Sequence, residues 1–183
     1  MEFGSAEAFR SWLDKHHARP NGIRLKIAKK GTGVASVTYS EALDEALCYG
    51  WIDGQKEAFD ETWFVQRFTP RRARSRWSKI NRERVERLIA EGRMQPAGLA
   101  QVEAAKADGR WDAAYEGSRT ATVPEDLQAA LDADPRAKAF FETLNSANRY
   151  AIVYRVQDAK RPETRAKRIA QFVEMCREGR TLH

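Results

Sequence analysis

The stretch WIDGQKEAFDETWFVQRF, residues 51–68, decides the fold class. Its two ends, Trp51 to Ala58 and Thr62 to Phe68, read as strands, with Phe59-Asp60-Glu61 as the turn of a hairpin between them. Upstream, after a Pro20-Asn21-Gly22 turn, Ile23, Leu25 and Ile27 alternate with Arg24, Lys26 and Ala28, the period of a half-buried strand. Helical patterns surround these strands. Ser5 caps a helix to His17, and Thr38-Tyr39-Ser40-Glu41 is a capping box that opens a helix with a buried Ala42, Leu43, Ala46 and Leu47 stripe. Gly50 is placed as the left-handed residue that ends it. Ser78 caps a third helix that stops before Gly92, with Val85, Leu88 and Ile89 inward.

Beyond Gly92 the patterns are helical throughout. Gln95 to Asp108 mixes small and apolar residues, and YEGSRTA, residues 115–121, is the clearest linker. Thr122-Val123-Pro124-Glu125 reads as a second capping box, and Asp134-Pro135 opens a helix with Ala137, Phe140, Phe141 and Leu144 at i, i+3, i+4, i+7. Asn145 to Gln157 is apolar on most sides, the pattern of a central helix. Pro162 starts a last helix, with Ala166, Ile169, Ala170 and Val173 inward. The expected fold is α+β: a small, mostly antiparallel sheet with helices in the N-terminal half, and a helical C-terminal half packed against it. The expected domains are residues 1–94, a helical connector 95–121, and a helical domain 122–183.

With 183 residues, 42% of them hydrophobic, the chain can bury one sizeable core or two small ones, which excludes a disordered polymer. No apolar run approaches the roughly 18–20 residues of a membrane span, and the start lacks the apolar centre of a secretory leader. Cys48 and Cys176 form neither a disulfide framework nor a zinc spacing. A cytoplasmic location is expected.

The net charge of +6 is local. Between Gln66 and Arg93 ten basic residues face Glu83, Glu86 and Glu91, whereas the rest of the chain has 22 basic and 23 acidic residues. From Arg67 to Arg76 there are five arginines and no acid, with Phe68 and Trp77 beside them. Arginine donates in a planar fork to phosphate or carboxylate and stacks on aromatic rings. A cleft floored by Trp51 and Trp77 and rimmed by Arg67, Arg71 and Arg72 is therefore the expected ligand site. The other reading is that the arginines are solvated or paired with Asp44, Asp53, Asp60 and Glu61. Asp53 would tie Arg67 or Arg71 into place or meet a ligand cation. Lys29 and Lys30, in Lys29-Lys30-Gly31-Thr32-Gly33, could hold an anion beside the capped helix, or form a flexible basic loop. Arg82/Glu86 and Glu83/Arg87 have the spacing of pairs along a helix.

Catalytic arrangements are thin. His16 and His17 are neighbours and point to different helix faces, no HExxH is present, and Cys48 reads as a small buried residue. No catalytic residue, metal or cofactor is expected.

Four blocks carry a family resemblance: AKKGTGVASVTYSEALDEALCYGWIDGQ from Ala28 to Gln55, QRFTPRRARSRWSKIN from Gln66 to Asn81, AAKADGRWDAAY from Ala104 to Tyr115, and NRYAIVYRVQDAKRPETRAKRIAQFV from Asn148 to Val173. Together they resemble the YdeI/OmpD-associated, bacteriocin-protection family. The resemblance implies a bacterial protein linked to protection against toxic peptides or envelope stress. The expected function is non-enzymatic binding of a toxic peptide or antibiotic-like small molecule. The alternatives are nucleic-acid binding through the basic segment and an enzyme that modifies a small anionic or peptide substrate.

Overall fold

The computed structural model of the protein describes residues 1–118 and 120–182. Among them the chain forms eight helices and one three-stranded antiparallel sheet, an α+β fold. They divide into two units, residues 1–115 and 116–183.

The first unit contains α1 (Ala6–His16), β1 (Ile23–Ala28), α2 (Tyr39–Cys48), β2 (Trp51–Ala58), β3 (Trp63–Pro70), α3 (Lys79–Ala90) and α4 (Pro96–Ala107). The strands lie in the order β1-β3-β2. The hairpin turns where expected: Asp60 Oδ1 accepts from the backbone N–H groups of Thr62 and Trp63 at 2.8 and 2.7 Å, an Asx turn. Ile23, Leu25 and Ile27 of β1 stand opposite Phe68, Gln66 and Phe64 of β3, so directly opposed side chains share one face. Between Asp53 and Lys56 the β2–β3 register shifts, a bulge at Gly54-Gln55.

Helices cover that face. Phe9 and Leu13 of α1, Ala42, Ala46 and Leu47 of α2, Val85 and Leu88 of α3, and Val102 and Ala105 of α4 join Leu25, Trp51 and Phe68 in one core. Ile89, expected inward on α3, is exposed instead; Val85 and Leu88 already fill the stripe one turn apart. Two glycines allow close approach. Gly50 has φ 75° as it ends α2. At Gly98 on α4 a methyl group would lie 2.2 Å from the carbonyl oxygen of Cys48, so that contact requires glycine. The stretch 95–121 thus divides between the units, with Val102, Ala105, Trp111 and Ala114 in the first core.

The second unit holds α5 (Glu125–Asp132), α6 (Pro135–Thr143), α7 (Ser146–Asp158) and α8 (Pro162–Arg177) around Leu127, Leu131, Phe141, Ile152, Val156 and Phe172. Asp134 and Asn145 cap α6 and α7 through their side chains. The capping box expected at Thr122 does not form: Pro124 is the N-cap of α5 and makes no side-chain cap bond. Nor is α7 buried on most sides. Its core face is the stripe Asn148, Ile152, Val153 and Val156, and Ala147 is exposed. On α8 the buried residues are Phe172, Met175 and Cys176, while Ala166 and Ala170 face solvent. The larger side chains turn the helix because they gain more by burial than alanines do.

Candidate functional site

The segment that follows β1 bridges strand and helix and encloses space against the sheet. It is pinned at both ends. The Ala28 N–H donates to Ser36 Oγ at 3.2 Å, and the Lys29 N–H donates to the carbonyl of Thr62 at 2.7 Å. At its far end the capping box closes on α2: Glu41 Oε2 accepts from both Thr38 N and Thr38 Oγ1 at 2.8 Å, and Glu41 N donates to Thr38 Oγ1 at 3.3 Å. Between these anchors Gly31 and Gly33 take left-handed φ values of 83° and 71°, which let the chain curl outward.

Under this segment lies a cavity of about 860 Å³. Its floor is the sheet: Ile27, Phe64 and Ala58 are register partners across β1, β3 and β2, and Lys56 is two residues along β2 on the same face. Val34, Val37 and Tyr39 form the far wall. Three cations stand at it. The Lys29 ammonium donates to the carbonyl of Asp60 at 2.7 Å, Lys56 lies over the Phe64 ring at 4.1 Å, and Lys30 is exposed. The Tyr39 hydroxyl donates to Asp53 Oδ2 at 2.8 Å. Burial, with the Asp53 charge beside it, pushes the Tyr39 phenol well above the ordinary range, so it remains a protonated donor.

The arginine–tryptophan segment is arranged differently. Trp51 is fully buried, its indole N–H donating to the carbonyl of His17 at 2.7 Å and its ring edge-on to Trp12. Trp77 is also buried and meets Trp111 edge-to-face at 4.9 Å. Arg71, only 6% exposed, stacks on Trp77 at 3.4 Å and donates to the carbonyl of Arg76 at 3.1 Å. Burial pulls its pKa down to about 10, which leaves it charged at neutral pH. Arg67 and Arg72 are exposed. The two indoles expected as a floor are thus core residues, and Arg71 is packed on one of them rather than standing on an open rim. Asp53, expected to tie Arg67 or Arg71, accepts from Tyr39. Of the expected site residues, Lys29 and Lys30 line the cavity, and Asp53 touches it through Tyr39.

Part of the local positive charge is neutralised from a distance. Asp44 takes Arg84 at 2.7 Å and Arg87 at 2.6 Å. Glu45, 2% exposed, takes Arg10 through two bonds of 2.7 and 2.9 Å and Arg93 at 2.7 Å. Arg82 pairs with Glu86 at 3.8 Å as the helix spacing suggests, but Arg87 turns to Asp44 and Glu91 rather than Glu83. Sequence reasoning missed Lys56, Phe64, Val34 and Val37. The signal available for the first two was the strand alternation, which places Lys56 and Ala58 on one face with whatever opposes them. Among the described residues no group of three or more His, Cys, Asp or Glu side chains could hold a metal ion, and no helix is long and apolar enough to cross a membrane.

Residues 1–101 match the family model described as "Domain of unknown function (DUF8412)", and the chain belongs to that family. Residues 120–179 match the model described as "Bacteriocin-protection, YdeI or OmpD-Associated", so the YdeI/OmpD-associated relationship is a property of the second unit. Of the four sequence blocks that carried the resemblance, the one from Asn148 to Val173 falls within that match; those from Ala28 to Gln55 and Gln66 to Asn81 fall within the other. No curated protein and no solved structure matches the chain.

Proposed function

We propose that the protein is a non-enzymatic, cytoplasmic stress-protection protein that binds a toxic peptide or antibiotic-like molecule. The similarity of its second unit to the bacteriocin-protection family supports the protective part of this reading. The observation that carries the binding part is the cavity between the sheet and residues 29–39. Its volume falls in the range of small-ligand sites, about 300–1,000 Å³. The ligand is taken there rather than on the arginine–tryptophan segment, where Trp51 is packed on Trp12 and Trp77 on Trp111 and Arg71.

The test is expression of the full chain in a susceptible bacterium, challenge with a panel of peptide toxins and antibiotics, and mass spectrometry of the toxin afterwards. Survival should rise in proportion to the amount of protein, with the toxin recovered at unchanged mass. A toxin of altered mass would favour an enzyme, and absence of protection across the panel would reject the reading.

Nucleic-acid binding is the second reading, supported by Arg67, Arg72 and Arg74, which are exposed and carry no side-chain partner among the described residues. It requires affinity that falls steeply with salt, since phosphate contacts release counterions. A gel shift at low salt with no retarded species dismisses it.

A further inference from the structure

The cavity's charge and surface specify the chemistry of its occupant more narrowly than "toxic molecule". Lys29, Lys30 and Lys56 line it, and its described lining contains no Asp or Glu. Lys29 is held by a backbone carbonyl and Lys56 by an aromatic face. Both partners are neutral, so each ammonium keeps its full charge for a ligand. Lys30 has no side-chain partner among the described residues. Against these cations stands an apolar surface built from Ile27, Val34, Val37 and Phe64. Lysine ammoniums are compact point charges that bind oxyanions without demanding one planar geometry.

The geometry points to a small amphipathic oxyanion as the occupant, its anionic head at the three lysines and a compact apolar body on Phe64 and Val37. The inference deepens the binding reading above and rests on it. It accounts for the two halves of the lining together: a purely apolar ligand leaves three exposed cations at the cavity without a counter-ion, and a bare inorganic anion leaves the apolar wall uncovered.

The probe is 1-anilinonaphthalene-8-sulfonate, titrated onto the full chain by fluorescence at low ionic strength. Exposed or partly exposed ion pairs are each worth about 1.5- to 5-fold in affinity. The triple variant Lys29→Gln/Lys30→Gln/Lys56→Gln should therefore bind the probe about 3- to 100-fold more weakly. Val34→Asp, at an exposed position of the wall, should also weaken it by adding a like charge, without disturbing the core. Lys138→Gln, at a half-buried position in the second unit, should leave the affinity unchanged. Circular dichroism confirms that each variant is folded. In competition, octanoate should displace the probe at concentrations at which octanamide and octylamine, equal in chain length, do not.

Wild-type affinity in the folded triple variant overturns the inference, as does equal displacement by octanoate, octanamide and octylamine. Its failure is separable from that of the protective reading. Anion selectivity without protection in cells rejects only the protective role. Protection retained when anion selectivity is absent rejects only this inference.

Discussion

Glu45 is the residue at which the structure makes its sharpest energetic claim. Its carboxylate is 2% exposed and accepts three charge-assisted bonds, two from Arg10 and one from Arg93, at 2.7–2.9 Å. These join α1, α2 and the segment after α3. Glu45→Gln keeps the volume but removes the charge, so at most one arginine keeps a good acceptor. Breaking a fully buried pair costs about 3–5 kcal/mol, because an uncompensated charge stays buried. Here the arginine side chains are 42% and 29% exposed and can recover water, which discounts the cost. The expected loss is about 2–3 kcal/mol, set between the buried and exposed cases. All five tryptophans, Trp12, Trp51, Trp63, Trp77 and Trp111, lie in the first unit, so tryptophan fluorescence during urea unfolding reads that unit. With a slope of about 2 kcal/mol per molar urea, the midpoint should fall by roughly 1–1.5 M at unchanged slope. A double-mutant cycle with Arg10→Ala should recover a coupling of about 1 kcal/mol or more. A midpoint within about 0.25 M of wild type, corresponding to under roughly 0.5 kcal/mol, would refute the argument that this clamp stabilises the unit.

Gly98→Ala places a methyl group 2.2 Å from the Cys48 carbonyl; the same urea assay should show a loss of about 1–3 kcal/mol, the usual range for overpacking. Stability should also decline at alkaline pH. Burial pushes the Cys48 thiol up to about 11, above its ordinary range, and raises Tyr39 and Tyr49 above the ordinary phenol range. The unfolded chain therefore releases these protons first: the Cys48 contribution, intact below about pH 9, is lost as pH rises through 11, and the tyrosine contributions begin to fall above about pH 10. A urea midpoint that stays flat from pH 8 to 11 contradicts this. Asn145→Ala removes the side-chain oxygen that accepts from Asn148 N at 2.9 Å, and it should lower the melting stability of the second unit's helices by about 1 kcal/mol, followed by circular dichroism.

Local chemistry made much of the fold legible. Alternation at Ile23, Leu25 and Ile27, the Asp60 turn and the caps at Ser5, Thr38, Ser78 and Asp134 are each set by residues within a few positions of one another. The misplaced faces were those where a pattern offered a choice. On α8 the small Ala166 and Ala170 compete with Phe172 and Met175, and the larger pair takes the core. On α7 an apolar composition concealed a single buried stripe.

The candidate site divides the same way. That residues 29–33 form a basic, glycine-bearing loop ahead of a capped helix followed from the sequence by itself, as did the confinement of the surplus positive charge to residues 66–93. What became of that charge was decided by tertiary structure. Asp44 and Glu45 lie 35 to 48 positions from the arginines they hold, and nothing local in the sequence announces such a pairing. Trp51 and Trp77 spend their rings on the core because a large apolar surface gains most by leaving water. The open, cation-lined space forms elsewhere, where the sheet register brings Lys56 and Phe64 under the loop that carries Lys29 and Lys30.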